Sequence, residues 1–244
     1  MQAWPYPRMI AHRGGGTLAP ENTLAAIRTA PEYRYRAVEF DVMLSADARA
    51  FLIHDETLER TTNGRGNVAD TQGAMLATLD AGAWKDLRFA REPVPLFEDA
   101  ARLCIGLGLW ANIEIKPARG HEAHTGEIAG GIAARLWQGA ATPPLISSFR
   151  RAALISARKA APDIPQGWLV DRIAPGWQRP MMELGCVSLH CNQAHLTEPQ
   201  AREVKDAGYW LLCWTVNDQA TAERLFAWGV DAMFTDRIDL LAPG

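Results

Sequence analysis

Short apolar runs rich in β-branched and aromatic residues alternate along this chain with segments of helical length. Nine of these runs predict strands, at residues 9–12, 37–44, 51–54, 110–116, 144–148, 167–170, 186–191, 210–216 and 232–235. Two of the amphipathic segments between them, 198–208 and 218–228, end at or just before a glycine, which is typical of a helix end. Asn217 or Asp218 is placed to cap the start of the second. Repeated strand–helix units over this length predict an α/β fold, a (β/α)8 barrel.

A barrel of this kind needs eight strands, so one of the nine predicted strands must have another place. Only residues 45–50 separate the second run from the third. A parallel crossover needs about a dozen residues or more, whereas an antiparallel hairpin needs only a short turn. The run at 51–54 is therefore expected to pair antiparallel with the run at 37–44.

An open, doubly wound parallel sheet is the alternative architecture for the same alternation. Such sheets bind dinucleotides through a G-x-G-x-x-G motif at the start of a helix. The glycine cluster Gly14-Gly15-Gly16 does not have this spacing. The barrel is therefore favoured.

The chain contains no low-complexity or linker-like stretch, so we interpret residues 1–244 as a single domain. Residues 55–95 form the longest part without a clear strand, and this part is rich in glycine and proline. A segment of that length without regular structure is often functional. We expect it to be an insertion over the active-site face of the barrel.

Composition limits the kinds of partner and compartment. The 244 residues carry 25 Lys and Arg against 28 Asp and Glu, a net charge of −3, which does not favour nucleic acid or an anionic membrane surface as partner. Neither a secretory signal nor a bilayer-spanning apolar run is visible. The four cysteines include no C-x-x-C pair, so free thiols and a cytoplasmic location are expected. The pattern does not indicate an oligomeric state.

Acidic residues occur inside two of the predicted strands. The active site of a barrel lies at the carboxyl ends of its strands. Glu39 and Asp41 are two positions apart and therefore share a face, and Glu114 lies on the next parallel strand. Three converging carboxylates repel one another unless a cation lies between them, and ligation by oxygen alone suits Mg²⁺ or Ca²⁺. The alternative is that these acids pair with Lys or Arg at the surface. We favour the metal site because charged residues are rare inside apolar strands.

Two histidines and two cations stand at the same ends of the predicted strands. Histidine is the side chain whose unperturbed pKa is close to neutral, so His12 and His54 could act as a general acid and base, although a lone histidine there is more often a core residue. Arg13 and Lys116 would add positive charge suited to a phosphate. Together with a metal, this set indicates phosphoryl transfer to water.

The ordered motifs resemble the glycerophosphodiester phosphodiesterase family, and most closely its compact cytosolic bacterial type. They are His12-Arg13-Gly14, Pro20-Glu21-Asn22-Thr23, Glu39-Phe40-Asp41-Val42, the run from His54 to Thr62, Asn112-Ile113-Glu114-Ile115-Lys116-Pro117, Ser148-Phe149, Trp214-Thr215-Val216-Asn217, Gly229-Val230-Asp231 and Thr235-Asp236. The resemblance implies a TIM barrel of the phospholipase-C-like phosphodiesterase superfamily, with a small insertion after the hairpin of the second strand.

The resemblance also implies residue roles. It gives Glu39, Asp41 and Glu114 as metal ligands, His12 and His54 as the acid and base, and Arg13 and Lys116 as phosphate-binding residues. It places Phe149 and Trp214 on the glycerol side of the pocket, although either aromatic ring could instead be ordinary core. Glu21 and Asn22 are expected to support the site from behind, although Asn22 could instead cap a helix. His190, which follows an apolar strand, is expected either to face the substrate or to be a core residue.

The implied reaction is metal-dependent hydrolysis of glycerophosphodiesters, such as glycerophosphocholine and glycerophosphoethanolamine, to glycerol 3-phosphate and an alcohol. A related phosphodiesterase acting on a lysophospholipid and a non-catalytic binder of a phosphorylated ligand are the alternatives. Three positions depart from the family pattern: Ala48 and Ala232 stand where glycine is usual, and Ile238 where proline is usual. All three are backbone positions outside the predicted chemistry.

Overall fold

The computed structural model describes residues 3–243. Their strands are β1 (Met9–Ala11), β2 (Ala37–Leu44), β3 (Ala50–Leu52), β4 (Trp110–Ile115), β5 (Leu145–Ser148), β6 (Gln166–Val170), β7 (Ser188–Asn192), β8 (Trp210–Trp214) and β9 (Ala232–Thr235). Their helices are α1 (Leu24–Glu32), α2 (Gly73–Leu76), α3 (Phe97–Leu107), α4 (Glu122–Leu136), α5 (Arg151–Ala160), α6 (Gln178–Leu184), α7 (Glu198–Asp206) and α8 (Gln219–Ala227). Of the two proposed caps for α8, Asp218 is the one whose side chain accepts a hydrogen bond, at 2.8 Å from the Thr221 N–H.

Eight of these strands form a closed parallel barrel, which confirms the predicted (β/α)8 fold. The order around it is β1, β2, β4, β5, β6, β7, β8 and β9, and β9 returns to β1 with Met9 opposite Met233. Closure makes the first and last strands neighbours, although more than 200 residues separate them in sequence.

The ninth strand, β3, pairs antiparallel with β2, as the short connection predicted. The turn between them holds Ala48, where the family usually has glycine, at a φ of +59°. Its N–H donates to the carbonyl of Ser45 at 3.0 Å. A non-glycine residue is strained in this left-handed region, so the departure at Ala48 has a local conformational cost.

Side chains alternate between the inside and the outside of the barrel. On β2, Phe40 and Val42 pack into the large apolar cluster between the barrel and its helices, whereas Glu39 and Asp41 point inward. On β4, Ile113 and Ile115 face the helices, and Glu114 faces inward. The two-residue period of a strand therefore brings the predicted acids into the barrel interior.

The amino-terminal end of the barrel interior is closed by aromatic rings. Tyr6 stacks on Trp110 at a centroid distance of 4.5 Å, and Trp4 meets Trp110 and Trp210 edge-on at 5.8 and 5.2 Å. Trp110 and Trp210 begin β4 and β8, so the rings cover the starts of two strands on opposite sides of the barrel. Access to the interior is left to the carboxyl-terminal end.

Residues 53–95 make up a segment of short turns around the small helix α2. Leu58, Leu76 and Val94 build a separate apolar cluster with Met43 and Phe51 of the hairpin. Glu92 accepts a hydrogen bond from the N–H of Ala25 at 2.9 Å, and Arg88 donates to the carbonyl of Leu18. Both partners lie in the stretch that follows β1, so these contacts place the segment at the carboxyl-terminal end of the barrel.

Two further properties concern the cysteines and the helices. All four cysteines are buried and unpaired. Among residues 3–243, no helix combines the length and the apolar character needed to cross a bilayer.

Candidate active site

A cavity of about 270 Å³ opens at the carboxyl-terminal end of the barrel. Nine of the predicted site residues line it: His12, Arg13, Glu39, Asp41, His54, Glu114, Lys116, Phe149 and Trp214. Asn112, Leu169, Thr215 and Phe234 complete the lining. The barrel therefore brings together residues that are spread over 200 positions of sequence.

The three predicted metal ligands form one buried acidic cluster. Glu39, Asp41 and Glu114 each offer an oxygen within 4.8 Å of those of the other two. Burial and the neighbouring carboxylates raise the pKa of Glu39 well above its usual value. Burial and the charge of Asp41 likewise raise the pKa of Glu114 to about 7. Without a cation, the cluster therefore holds protons.

Asp41 remains the ionised member of the cluster. Burial works against its charge, but Lys116, His54 and Arg13 outweigh it and lower the pKa of Asp41 to about 2. The side-chain amide of Asn22 donates to Oδ2 of Asp41 at 2.8 Å. The backbone N–H of Asp41 donates to the amide oxygen of Asn22 at 3.0 Å. Asn22 thus fixes the orientation of this carboxylate.

The cluster fits a hard divalent cation. Oxygen Oε1 of Glu39 and oxygen Oε1 of Glu114 are buried without a hydrogen-bond partner. The Lys116 ammonium lies 3.5 Å from Oε1 of Glu114. Buried carboxylate oxygens without partners are costly unless a cation or a proton satisfies them. A donor set made only of oxygen matches Mg²⁺ or Ca²⁺ better than zinc.

His12 follows β1, and its imidazole is oriented by a carboxylate that directly follows the last strand. Its Nδ1 donates to Asp236 Oδ1 at 2.6 Å, and its Nε2 lies 3.8 Å from Glu39 Oε2. Asn217 donates to the other oxygen of Asp236 at 3.2 Å. Nε2 is therefore the ring nitrogen that faces the acidic cluster.

His54 follows β3 and is held in a similar way. Its Nδ1 donates to Asp55 Oδ1 at 2.5 Å, and its Nε2 lies 2.5 Å from the Lys116 ammonium. An ammonium can only donate, so Nε2 is the acceptor and the ring is neutral. Burial lowers the pKa of His54; Asp41 opposes this, while Lys116 adds to it. The lone pair of Nε2 is therefore engaged by Lys116, a cation that lines the same cavity.

Sequence reasoning did not include Asp55 and Asp236 among the site residues. Both carboxylates bind the Nδ1 of a candidate catalytic histidine. A signal was present for each: Asp55 directly follows His54, and Asp236 directly follows the strand that must adjoin β1 in a closed barrel. A histidine that exchanges protons usually needs such a partner to set its tautomer.

The two predicted phosphate-binding cations flank the acids. The Arg13 guanidinium donates to Glu21 at 2.6 Å, and its buried Nε, which has no hydrogen-bond partner, lies 3.8 Å from Asp41. Lys116 lies 3.6 Å from Asp41. Glu21 therefore lies behind Arg13 and does not line the cavity.

Phe149 and Trp214 form an apolar wall of the cavity. Their rings meet edge to face at a centroid distance of 5.6 Å. The indole N–H of Trp214 is buried and has no hydrogen-bond partner in the protein. The wall therefore combines apolar surface with one free donor.

His190 is the predicted site residue that the structure places elsewhere. It is fully buried inside the barrel and does not line the cavity. Its Nε2 lies 2.9 Å from the Ser188 hydroxyl, and its ring packs against Phe234. Burial lowers its pKa to about 3, so the ring is neutral. The expected substrate contact is corrected to a core position, because successive inward side chains of one strand lie at different depths in the barrel, and His190 lies in the packed interior and not at the cavity.

Most of the chain matches one known protein family. The sequence model of the Glycerophosphoryl diester phosphodiesterase family matches residues 12–240. The chain belongs to this family. Its members are phosphoric diester hydrolases, so the chain is an enzyme of that class, as the resemblance predicted.

Relatives of the same family are similar over almost the whole length. The glycerophosphodiester phosphodiesterase of Caldanaerobacter subterraneus is 33% identical over 93% of both chains. A phosphodiesterase structure from Oleispira antarctica, in complex with the product sn-glycerol-3-phosphate, is 38% identical with a TM-score of 0.91, covering 95% of this chain and 93% of that one. A glycerophosphodiester phosphodiesterase structure from Agrobacterium tumefaciens is 28% identical with a TM-score of 0.82, covering 98% of this chain and 100% of that one.

Proposed function

We propose that this phosphodiesterase hydrolyses glycerophosphodiesters, including glycerophosphocholine and glycerophosphoethanolamine, to glycerol 3-phosphate and an alcohol. The observation that carries the proposal is the pairing of two carboxylate-bound histidines with one buried acidic cluster in a single cavity. The product bound in the Oleispira antarctica relative has the chemistry that this cavity would release.

Glu39, Asp41 and Glu114 would hold a divalent cation, Mg²⁺ or Ca²⁺. When bound, the cation supplies positive charge that stabilises the phosphoryl oxygens in the transition state. Arg13 and Lys116 add two fixed positive charges beside it, and both are anchored by carboxylates that keep them in place. The phosphate is thereby oriented without a large reorganisation of the site.

His12 and His54 carry the proton transfers in this proposal. One imidazole takes the proton of the attacking hydroxyl, and the other gives a proton to the oxygen of the departing alcohol. Each histidine uses Nε2 for this, because Nδ1 is bound to Asp236 or Asp55. The attacking hydroxyl is either water or the neighbouring hydroxyl of the glycerol; rapid-quench trapping of a cyclic phosphate distinguishes the second route from the first.

Phe149 and Trp214 would pack against the glycerol, with the free indole N–H as a donor to one of its hydroxyls. We further propose that one barrel domain performs the whole reaction on a small molecule in the cytoplasm. The lining residues all come from that barrel, and four buried, unpaired cysteines suit a reducing compartment.

The experiment is release of glycerol 3-phosphate from glycerophosphocholine by protein stripped of metal with EDTA, with and without added Mg²⁺ or Ca²⁺. Release restored by metal supports the reaction, the cation and the cleaved bond together. Absence of release with both metals contradicts the proposal. Lysophosphatidylcholine as a parallel substrate then separates a lipid phosphodiesterase from a protein that only binds a phosphorylated ligand.

A further inference from the structure

One arginine outside the cavity connects the two sides of the proposed site. Arg60 lies in the segment after β3, on a turn held by hydrogen bonds from the N–H and the hydroxyl of Thr62 to the carbonyl of Leu58. Leu58 is buried in the apolar cluster of that segment. The backbone that carries Arg60 is therefore anchored, while its side chain remains 44% exposed.

The Arg60 guanidinium binds two carboxylates at once. Toward Asp55, Nε donates to Oδ2 at 2.5 Å and Nη2 to Oδ1 at 3.1 Å. Toward Glu21, Nη1 donates to Oε2 at 2.6 Å and Nη2 to Oε1 at 2.8 Å. The planar fork of arginine matches two carboxylates in this way, whereas the single ammonium of a lysine cannot.

Each of the two carboxylates binds a different residue of the cavity. Asp55 accepts from Nδ1 of His54, and Glu21 accepts from Nη1 of Arg13. His54 and Arg13 are 41 positions apart, and the shared contact with Arg60 makes their orientations interdependent.

We infer that Arg60 is a positioning residue, which sets the orientation of the His54 imidazole through Asp55 and of the Arg13 guanidinium through Glu21. The inference rests on the proposed function, since it assigns Arg60 to the proton-transfer and phosphate-binding groups of that reaction. Arg60 itself does not line the cavity and does not contact the reacting atoms.

The bonds of Arg60 also keep both carboxylates ionised. Hydrogen bonding to Arg60 is the largest influence on Asp55 and lowers its pKa. For Glu21 the largest influence is burial, which would raise its pKa. The hydrogen bonds and charges of Arg60 and Arg13 outweigh burial, so the pKa of Glu21 is lowered. A charged Asp55 is the better acceptor for the Nδ1–H of His54. Ion pairs at this exposure add little to folding stability, so loss of Arg60 should affect function more than stability.

The test compares Arg60→Ala, Arg60→Lys and a matched control, Arg88→Ala. Arg88 belongs to the same segment and bonds to the carbonyl of Leu18 beside the barrel, but it contacts no residue of the cavity. For Arg60→Ala we expect kcat for glycerophosphocholine to fall about 10- to 100-fold, the usual cost of losing an orienting partner. Arg60→Lys should recover only part of this, and Arg88→Ala should stay within about twofold of the unsubstituted protein.

Chemical rescue by guanidinium chloride at millimolar concentration distinguishes a positioning role of Arg60 from a merely structural one. It should raise the kcat of Arg60→Ala severalfold and leave His54→Ala unchanged. A kcat within twofold of the unsubstituted protein, or a loss that follows a lowered Tm and is not rescued, overturns the inference.

A second readout does not depend on the substrate. The ¹⁵N shifts of the His54 ring should report a single tautomer with the proton on Nδ1, and Arg60→Ala should mix the two tautomers. Unchanged shifts would refute the role of Arg60 even if glycerophosphodiesters were not hydrolysed. Absence of turnover in the unsubstituted protein, together with the expected shift change, would refute the proposed function alone.

Discussion

The two ends of the barrel interior are built from the same strands and have opposite chemistry. On β4, Trp110 begins the strand within the aromatic cluster, and Glu114, four residues later on the same face, belongs to the acidic cluster. The amino-terminal end consists of packed rings with satisfied polar groups, such as the Trp110 N–H bonded to Pro143. The carboxyl-terminal end keeps carboxylate oxygens without partners.

Residues that stabilise the fold and residues that support the chemistry thus lie at opposite ends of the same strands. Packed rings contribute burial, whereas crowded buried carboxylates oppose folding and persist for the chemistry that they support. Substitutions at the amino-terminal end should therefore lower stability with little effect on catalysis. Substitutions at the carboxyl-terminal end should lower catalysis with little effect on stability.

Loss of either candidate catalytic histidine should have the largest effect. His12→Ala and His54→Ala should each lower kcat about 10²- to 10⁴-fold, the usual contribution of a positioned acid or base, with little change in Tm. Steady-state release of glycerol 3-phosphate measures this. His124→Ala, an exposed histidine on α4, is the control. Full activity in either cavity variant would remove that histidine from the acid–base pair.

The aromatic end is tested by Trp110→Ala. The ring is almost fully buried against Trp4 and Tyr6, so its loss should cost about 3–5 kcal/mol of unfolding free energy. Urea unfolding gives the loss, and kcat per folded molecule should stay within about twofold. A fall in kcat as large as that of the histidine variants would show that the two ends are not separable.

The acidic cluster should make stabilisation by metal depend on pH. In the folded protein the pKa of Glu114 is raised from 4.5 to about 7, so the folded state holds a proton that the unfolded chain releases. The metal-free protein therefore loses stability as the pH rises through this interval. Because a cation must displace the proton, the rise in Tm on adding Mg²⁺ or Ca²⁺ should be larger at pH 8 than at pH 5.5.

Glu114→Gln sharpens this measurement. The variant keeps the shape of the side chain without its charge, so its metal-free form should be less sensitive to pH. Its metal affinity should fall by at least the roughly 10- to 100-fold that loss of a residue behind the ligands costs. An unchanged metal titration would remove Glu114 from the ligand set.

The smallest expected effect lies outside both ends, in the β2–β3 turn. Ala48→Gly removes the strain of a φ of +59° and should raise the unfolding free energy by about 0.5–1 kcal/mol. The activity should stay unchanged, because Ala48 does not line the cavity. A loss of stability would mean that the gain of freedom in the unfolded chain outweighs the relief of strain.

Much of the site was visible in the sequence because it depends on local geometry. The two-residue period of a strand places Glu39 and Asp41 on one face, and the six-residue connection 45–50 requires the β2–β3 hairpin. The ordered motifs then identified the family, which the comparisons confirm.

Tertiary structure decided the contacts that join distant segments. Asp236 reaches His12 across 224 positions only because the barrel closes and β9 pairs with β1. Arg60 reaches Glu21 only because the segment after β3 folds over the same end of the barrel. The depth of a side chain in the barrel could not be predicted from the sequence either. His190 and His12 both occur on inward faces, but the packing of the interior buries His190 and leaves His12 at the cavity. Sequence period determines the face of a side chain; closure and packing determine its neighbours.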